Sequence, residues 1–170
     1  RGNVRAPHFN DVSGLGRAMF EAHIPFDALL LHHPEMRADH WTADDLSRYR
    51  LLIVASVRCI SDEQIVRLSE FLQAGGTLAV MGEFGTRDEN NAVRETSALD
   101  HLRGQGRVVE LLDGGHMHFN RENESEETRA IVAEAIADIR AALDGATLID
   151  GEIPRMLWVS TWRHQARGAD

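Results

Sequence analysis

The chain reads as a three-layer α/β sandwich with a mostly parallel, doubly wound sheet and helices on both faces. Three observations predict it. Residues 51–57 (LLIVASV) and 77–81 (TLAVM) are uncharged and rich in β-branched or small apolar residues, the pattern of strands covered on both sides. Between them, Ile65, Leu68, Phe71 and Leu72 recur at helical spacing. Strand, helix, strand, strand, helix at these lengths requires crossover connections and hence parallel pairing. The implied arrangement is flavodoxin-like.

Each element has its own local warrant. Leu15, Ala18, Met19 and Ala22 place a helix over 14–22, which the sequence His23-Ile24-Pro25 stops because proline cannot continue the turn. Residues 26–31 (FDALLL) form a short apolar run, expected as a buried strand. Thr42 opens a capped helical turn over 42–46, with Asp44 and Asp45 near its positive end. Ser61 and Gln64 have capping-box spacing at the start of the next helix, and Gly75-Gly76 ends it. After strand 77–81, residues 82–85 (GEFG) turn the chain and 87–94 (RDENNAVR) form a polar loop. Leu99 and Leu102 mark a short helix, 107–112 (RVVELL) a strand, and 113–115 a turn. A long helix is expected over 124–143, with Ile131, Ala135, Ile136, Ile139 and Leu143 as its apolar stripe. Its acidic opening, with Glu122, Glu124, Glu126 and Glu127, reads as a solvated first turn. Residues 146–149 and 156–161 read as extended.

Composition narrows the functional classes. The 170 residues suit one domain, expected over 1–155, with 156–170 an extended segment leading to a further domain. Eighteen basic residues against 27 acidic give a net charge of −9, which argues against a nucleic-acid partner. No apolar run approaches the ~20 residues a membrane helix needs. Cys59 is the single cysteine, so no internal disulfide or all-cysteine zinc site can form. Every basic residue is arginine. The absence of lysine removes Schiff-base chemistry, pyridoxal phosphate anchoring and the P-loop lysine. No cofactor is expected. Residues 1–11 show no charged-then-apolar leader, so no targeting signal fixes the compartment, and of the possible settings the cytoplasmic one is favoured.

Ligands of doubly wound sheets sit beyond the carboxyl ends of the strands, so the loops 58–61, 82–91 and 113–120 are the ones to watch. Glu83 occupies the centre of a strand-to-turn sequence resembling a nucleophile elbow, but a carboxylate there is no acyl-transfer nucleophile. Gly82 and Gly85 then simply permit a tight turn. Cys59 lies two residues before a helix N-terminus and could serve as a thiolate with His116 or His118 as base and Glu83 as orienter. The alternative is a small packed side chain at a strand end. His116 and His118 share one side of an extended segment and could ligate a metal with Glu83 or Asp113; His32 and His33 invite the same idea. No helical His-Glu-x-x-His or cysteine pair supports a metal, and solvated loop histidines are the simpler reading. Trp158, Ser160 and Trp162 share a face if extended, giving either a sugar-stacking platform or packing against a neighbouring domain.

The stretch 49–91, YRLLIVASVRCISDEQIVRLSEFLQAGGTLAVMGEFGTRDENN, resembles the middle, trimerisation domain of family-42-type β-galactosidases, within the class I glutamine-amidotransferase-like superfamily. The shared pattern is an apolar strand, Ser-Asp-Glu-Gln opening a helix, Gly-Gly-Thr-Leu, a Gly-x-x-Gly turn and an Asp/Glu-rich loop. The upstream GLGRAMFEAHIPFDALL and the closing LWVSTWRHQ are similar to the flanking segments of such hydrolases. The resemblance implies that both catalytic carboxylates belong to a preceding barrel and match no residue here. It also implies that ammonia-releasing chemistry is not inherited, because Glu83 stands at the amidotransferase cysteine position and Cys59 lies one strand earlier. The family's first strand has no counterpart in the patterned residues. The expectation is a non-catalytic assembly or accessory domain of a larger glycoside-hydrolase-like protein. Its expected partners are further copies (dimer or trimer), neighbouring domains and a carbohydrate. A free-standing hydrolase or transferase using Cys59, and a small-ligand-binding module, are the alternatives.

Overall fold

The strand β2 (Thr77–Met81) is buried at all five positions in a computed structural model, which describes residues 7–37, 39, 41–111 and 125–144. Among the described residues it is the middle strand of a parallel three-stranded sheet of order β1-β2-β3, flanked by β1 (Leu51–Ala55) and β3 (Arg107–Leu111). The register pairs Leu51 with Thr77 and Ala55 with Met81 on one side, and Thr77 with Arg107 and Met81 with Leu111 on the other. This is the mixed α/β layering that the apolar runs and their spacing predict. Each run ends where the predicted strand does to within two residues.

Two separate cores sit on the two faces. On one, the helices α1 (Pro7–Glu21) and α5 (Glu126–Ala142) bury Leu15, Ala18, Met19, Ala135 and Ile139 against Ala55, Ala79, Met81 and Leu111. On the other, α2 (Ala43–Leu46), α3 (Asp62–Gln73) and α4 (Ala98–Arg103) bury Leu46, Leu68, Phe71, Leu72 and Leu102 against Leu78 and Val80. Alternation along each strand divides the side chains between the faces. Each fully buried leucine contributes about 2 kcal/mol.

The capping predictions hold in detail. Ser61 Oγ accepts from the Gln64 amide at 3.2 Å, and Gln64 Oε1 accepts from the Ser61 amide at 3.0 Å. Thr42 and Asp45 form the same reciprocal pair around α2. That pair holds the Asp45 carboxyl below its usual range, first through the Thr42 backbone bond and then through the Thr42 hydroxyl. At the far end of α3, Gly75 (φ 94°) takes the left-handed conformation, and a Cβ on Gly76 would fall 2.2 Å from the Phe71 ring.

Four expectations are corrected. The first helix begins at Pro7 rather than at 14, because polar residues extend a helix that periodicity alone cannot detect, and proline suits its first position. Residues 26–31 are not a buried strand: they have no regular structure, and Phe26 is 50% and Leu30 68% exposed. Polar tethers hold them instead: Trp41 Nε1 donates to the Leu30 carbonyl at 3.2 Å and the Tyr49 hydroxyl to Asp27 Oδ2 at 2.7 Å. The long helix starts at Glu126, capped by Ser125, and its stripe omits Ile131, which is exposed. Cys59 is exposed rather than packed. Residues 113–120, with Asp113, His116 and His118, and the segments 146–149 and 156–161, with Trp158, Ser160 and Trp162, lie outside the described residues.

Candidate functional site at the strand ends

The loops that leave β1 and β2 are laced to each other instead of parting. Both strands end in a left-handed residue, Ser56 (φ 52°) and Gly82 (φ 74°), and the Ser56 amide donates to the Met81 carbonyl at 2.8 Å. The positive φ of Gly82 favours glycine, and a Cβ there would sit 2.8 Å from Ser56 Oγ, forcing that hydroxyl to turn away. Beyond this point the ladder resumes. Gly85 N donates to Val57 O at 2.9 Å, Arg87 N to Arg58 O at 3.0 Å, and Ile60 N to Arg87 O at 3.1 Å. Gly85 (φ 62°) is held against the start of α4, where its own Cβ would lie 2.3 Å from that of Ala98.

The polar loop then folds into a small hairpin. Arg87 bridges Val93 in antiparallel fashion, and Asn91 (φ 67°) makes the turn. Asp88 Oδ1 accepts from the amides of Asn90 at 2.9 Å and Ala92 at 2.8 Å, an Asx arrangement that holds the tip. At its base, Arg94 Nη2 donates to the Ile60 carbonyl at 2.7 Å and Nη1 pairs with Asp62 Oδ1 at 2.6 Å. The Asp-Glu-Asn-Asn sequence carries this turn signal, but the interlocking with 57–60 has none.

The candidate reactive groups have found other partners. Cys59 Sγ lies 3.7 Å from Asn91 Oδ1, within reach of a weak thiol hydrogen bond. Glu83, 46% exposed, accepts from the Thr86 hydroxyl and faces Arg58 Nε at 3.9 Å. His33 Nδ1 accepts from the Glu35 amide. His32 Nδ1 is 3.4 Å from Asp39 Oδ1. Among the described residues, no three His, Cys, Asp or Glu side chains converge as a metal site would require.

A cluster that the sequence did not announce borders this face. The Asp39 side chain, 7% exposed, accepts from Gln64 Nε2 at 2.8 Å and from the His32 amide at 2.8 Å, and lies 3.5 Å from Arg67 Nη1. Gln64 Nε2 also donates to the His32 carbonyl at 3.1 Å. The capping glutamine of α3 therefore also anchors the 32–39 segment. Arg67 completes the clamp by donating to the Trp41 carbonyl and lying over its ring at 5.1 Å. These bonds satisfy a buried carboxylate, which is a structural task.

An open depression of about 380 Å³ lies at the opposite end of the sheet, lined by Tyr49, Arg50, Phe71, Thr77, Leu143 and Asp144. It sits at the amino ends of the strands, away from the loops where layered α/β sheets hold ligands.

No family model and no curated protein matches the chain. Solved structures that align with part of it include two GH42 enzymes. One is Gan42B, a GH42 β-galactosidase, at 28% identity over 55% of this chain and 12% of that one, with a TM-score of 0.43. The other is an apo exo-carrageenase GH42 from Bacteroides ovatus, at 14% identity over 79% of this chain and 15% of that one, with a TM-score of 0.46. The chain thus spans only a small fraction of either protein's length.

Proposed function

We propose that the chain is a non-catalytic α/β assembly domain of a larger glycoside-hydrolase-like protein, equivalent to the trimerisation domain of family-42-type β-galactosidases. One observation carries the reading. Where an enzyme of this architecture keeps a crevice, the loops after β1 and β2 are joined by the bonds Gly85–Val57, Arg87–Arg58 and Ile60–Arg87. The product is a rigid hairpin that presents Val93, 71% exposed, and the polar groups of Glu89 and Asn90. A braced projection with a polar tip and an exposed valine on its flank suits a contact with a neighbouring subunit, or the wall of that subunit's sugar cleft. The resemblance carried by residues 49–91 supports the same reading.

The test is the mass of the parent protein in solution, by sedimentation, for the native sequence and for Val93→Asp. The native protein is expected to be an oligomer and the variant to dissociate with the fold of this domain intact. A monomeric parent, or an oligomer that tolerates the aspartate, overturns the proposal.

A further inference from the structure

Two helices from opposite faces of the sheet finish at one opening. The end of α3, at Ala74 to Gly76, and the end of α5, at Ala142 to Asp144, border the depression of about 380 Å³ at the amino ends of the strands. That volume falls in the range of small-molecule sites, about 300–1,000 Å³. The last carbonyls of a helix point beyond its C-terminus and carry its partial negative charge. No backbone amide among the described residues donates to the carbonyls of Gln73, Ala74, Ala142 or Leu143. This part of the rim therefore attracts hydrogen-bond donors and positive charge.

One side chain supplies the opposite sign. Arg50 is exposed on the rim, and its guanidinium has neither an ion pair nor a hydrogen bond among the described residues. The nearby carboxylate of Asp144 is engaged elsewhere, with Arg107 at 3.0 Å. Thr77 adds a neutral polar group. It is 5% exposed and shares the strand face of Ala79 and Met81, towards α5, and its hydroxyl has no partner among the described residues. A hydroxyl so enclosed normally finds one. The floor is apolar, from Leu143 and the Phe71 ring, which fills the space that a side chain on Gly76 would take.

We propose that this depression binds a free α-amino acid with an apolar side chain. The carboxylate pairs with the fork of Arg50 and accepts from the Thr77 hydroxyl. The ammonium group donates to the carbonyls at the helix ends, and the side chain covers Leu143 and Phe71. A plain anion meets the negative helix ends, and a plain cation meets Arg50. A neutral ligand leaves both charges unmatched. A molecule with one charge of each sign answers both. The site lies at the far end of the sheet from the 87–94 hairpin and does not depend on the assembly role.

The test is a titration of the purified, nitrogen-15-labelled chain with three probes, followed by amide resonances. L-Phenylalanine carries both charges, 3-phenylpropanoate lacks the ammonium, and 2-phenylethylamine lacks the carboxylate. L-Phenylalanine is expected to shift the amides of Gly75, Gly76, Leu143 and Asp144 saturably and to leave those of Ala79 and Val80 in place. The other two probes are expected to bind at least about tenfold more weakly. Arg50→Gln keeps the backbone carbonyl that Thr77 N reaches, and is expected to weaken L-phenylalanine by about tenfold while leaving 2-phenylethylamine no weaker. Thr77→Val preserves the shape and removes only the hydroxyl; it is expected to weaken L-phenylalanine about threefold or more. The probe comparison on the native chain decides the matter without any variant. No saturable shift at these residues, equal binding of the three probes, or full affinity in Arg50→Gln overturns the proposal.

Discussion

Gln64 Nε2 donates at 2.8 Å to Asp39 Oδ2, joining the first turn of α3 to a loop 25 residues earlier in the chain. The same side chain caps its own helix through Oε1. One residue thus carries both a local and a long-range constraint. Gln64→Ala keeps the backbone amide that Ser61 Oγ accepts from and removes the reciprocal bond from the Ser61 amide to Oε1, worth about 0.5–1 kcal/mol. It also removes a donor to a buried carboxylate, worth about 1.5–3 kcal/mol. Urea unfolding is expected to show a loss of about 2–4 kcal/mol with an unchanged m-value. A loss under about 1 kcal/mol would mean that Arg67 and the His32 amide hold Asp39 unaided.

Gly85→Ala meets two penalties, a left-handed backbone (φ 62°) and the Ala98 Cβ at 2.3 Å. Strain at such a position costs about 1 kcal/mol, and overpacking about 1–3 kcal/mol more. Adding Ala98→Gly relieves the steric part alone. A double-mutant cycle is therefore expected to show a favourable coupling of about 1 kcal/mol or more. Simple additivity would place the whole cost in the backbone.

Tyr49 is the single tyrosine, so its titration can be followed by tyrosinate absorbance. Partial burial pushes its phenol above the ordinary value of 10.0, and the bond to Asp27 adds to this. A group with a raised folded pKa contributes stability that is fully present below the unfolded value and lost as pH rises through the folded one. Stability should thus decline above pH ~10 in the native chain, and less steeply in Tyr49→Phe. A midpoint at or below that of free tyrosine contradicts the burial.

Arg94 anchors the hairpin through Ile60 O and Asp62. Arg94→Ala is expected to destabilise the hairpin by about 1.5–3 kcal/mol and to speed tryptic cleavage after Arg87 by about tenfold or more. Asp62→Asn should have a far smaller effect, because the Asp62 side chain is almost fully in solvent. Equal sensitivity in the two variants would locate the brace in the ion pair rather than in the carbonyl contact.

Cys59→Ser should change stability by no more than about 0.5 kcal/mol, since the thiol is exposed and its one contact is weak. Calorimetry on the two proteins checks this. A larger loss would show that the Asn91 contact helps to hold the hairpin.

Much of the scaffold was legible in the chain. Ser61 and Gln64 announce the start of α3 because capping is a matter of residues three apart. The run 77–81 is buried throughout because a strand with both faces covered is built almost wholly of apolar residues, with Thr77 at its start as the polar exception. The run 26–31 looked alike on paper and behaves differently. Apolar composition creates a demand for burial, but only a neighbouring strand can meet it, and none adjoins that run among the described residues. The interlocked strand-end loops and the Gln64–Asp39 bond were also illegible, since both join residues remote in sequence. Of the reactive candidates, spacing could name Cys59 and Glu83 but could not foresee that Asn91 and Thr86 would be their partners.

The unequal borders of the sheet also limit how material can accumulate on it. Among the described residues Arg107 and Glu110 line the flank at β3, while the Leu51–Ala55 flank is uncharged, so two copies pairing along Leu51–Ala55 would present a charged flank on either side. Backbone-mediated clumping of this protein should therefore stop at small, countable particles, without elongating into fibres.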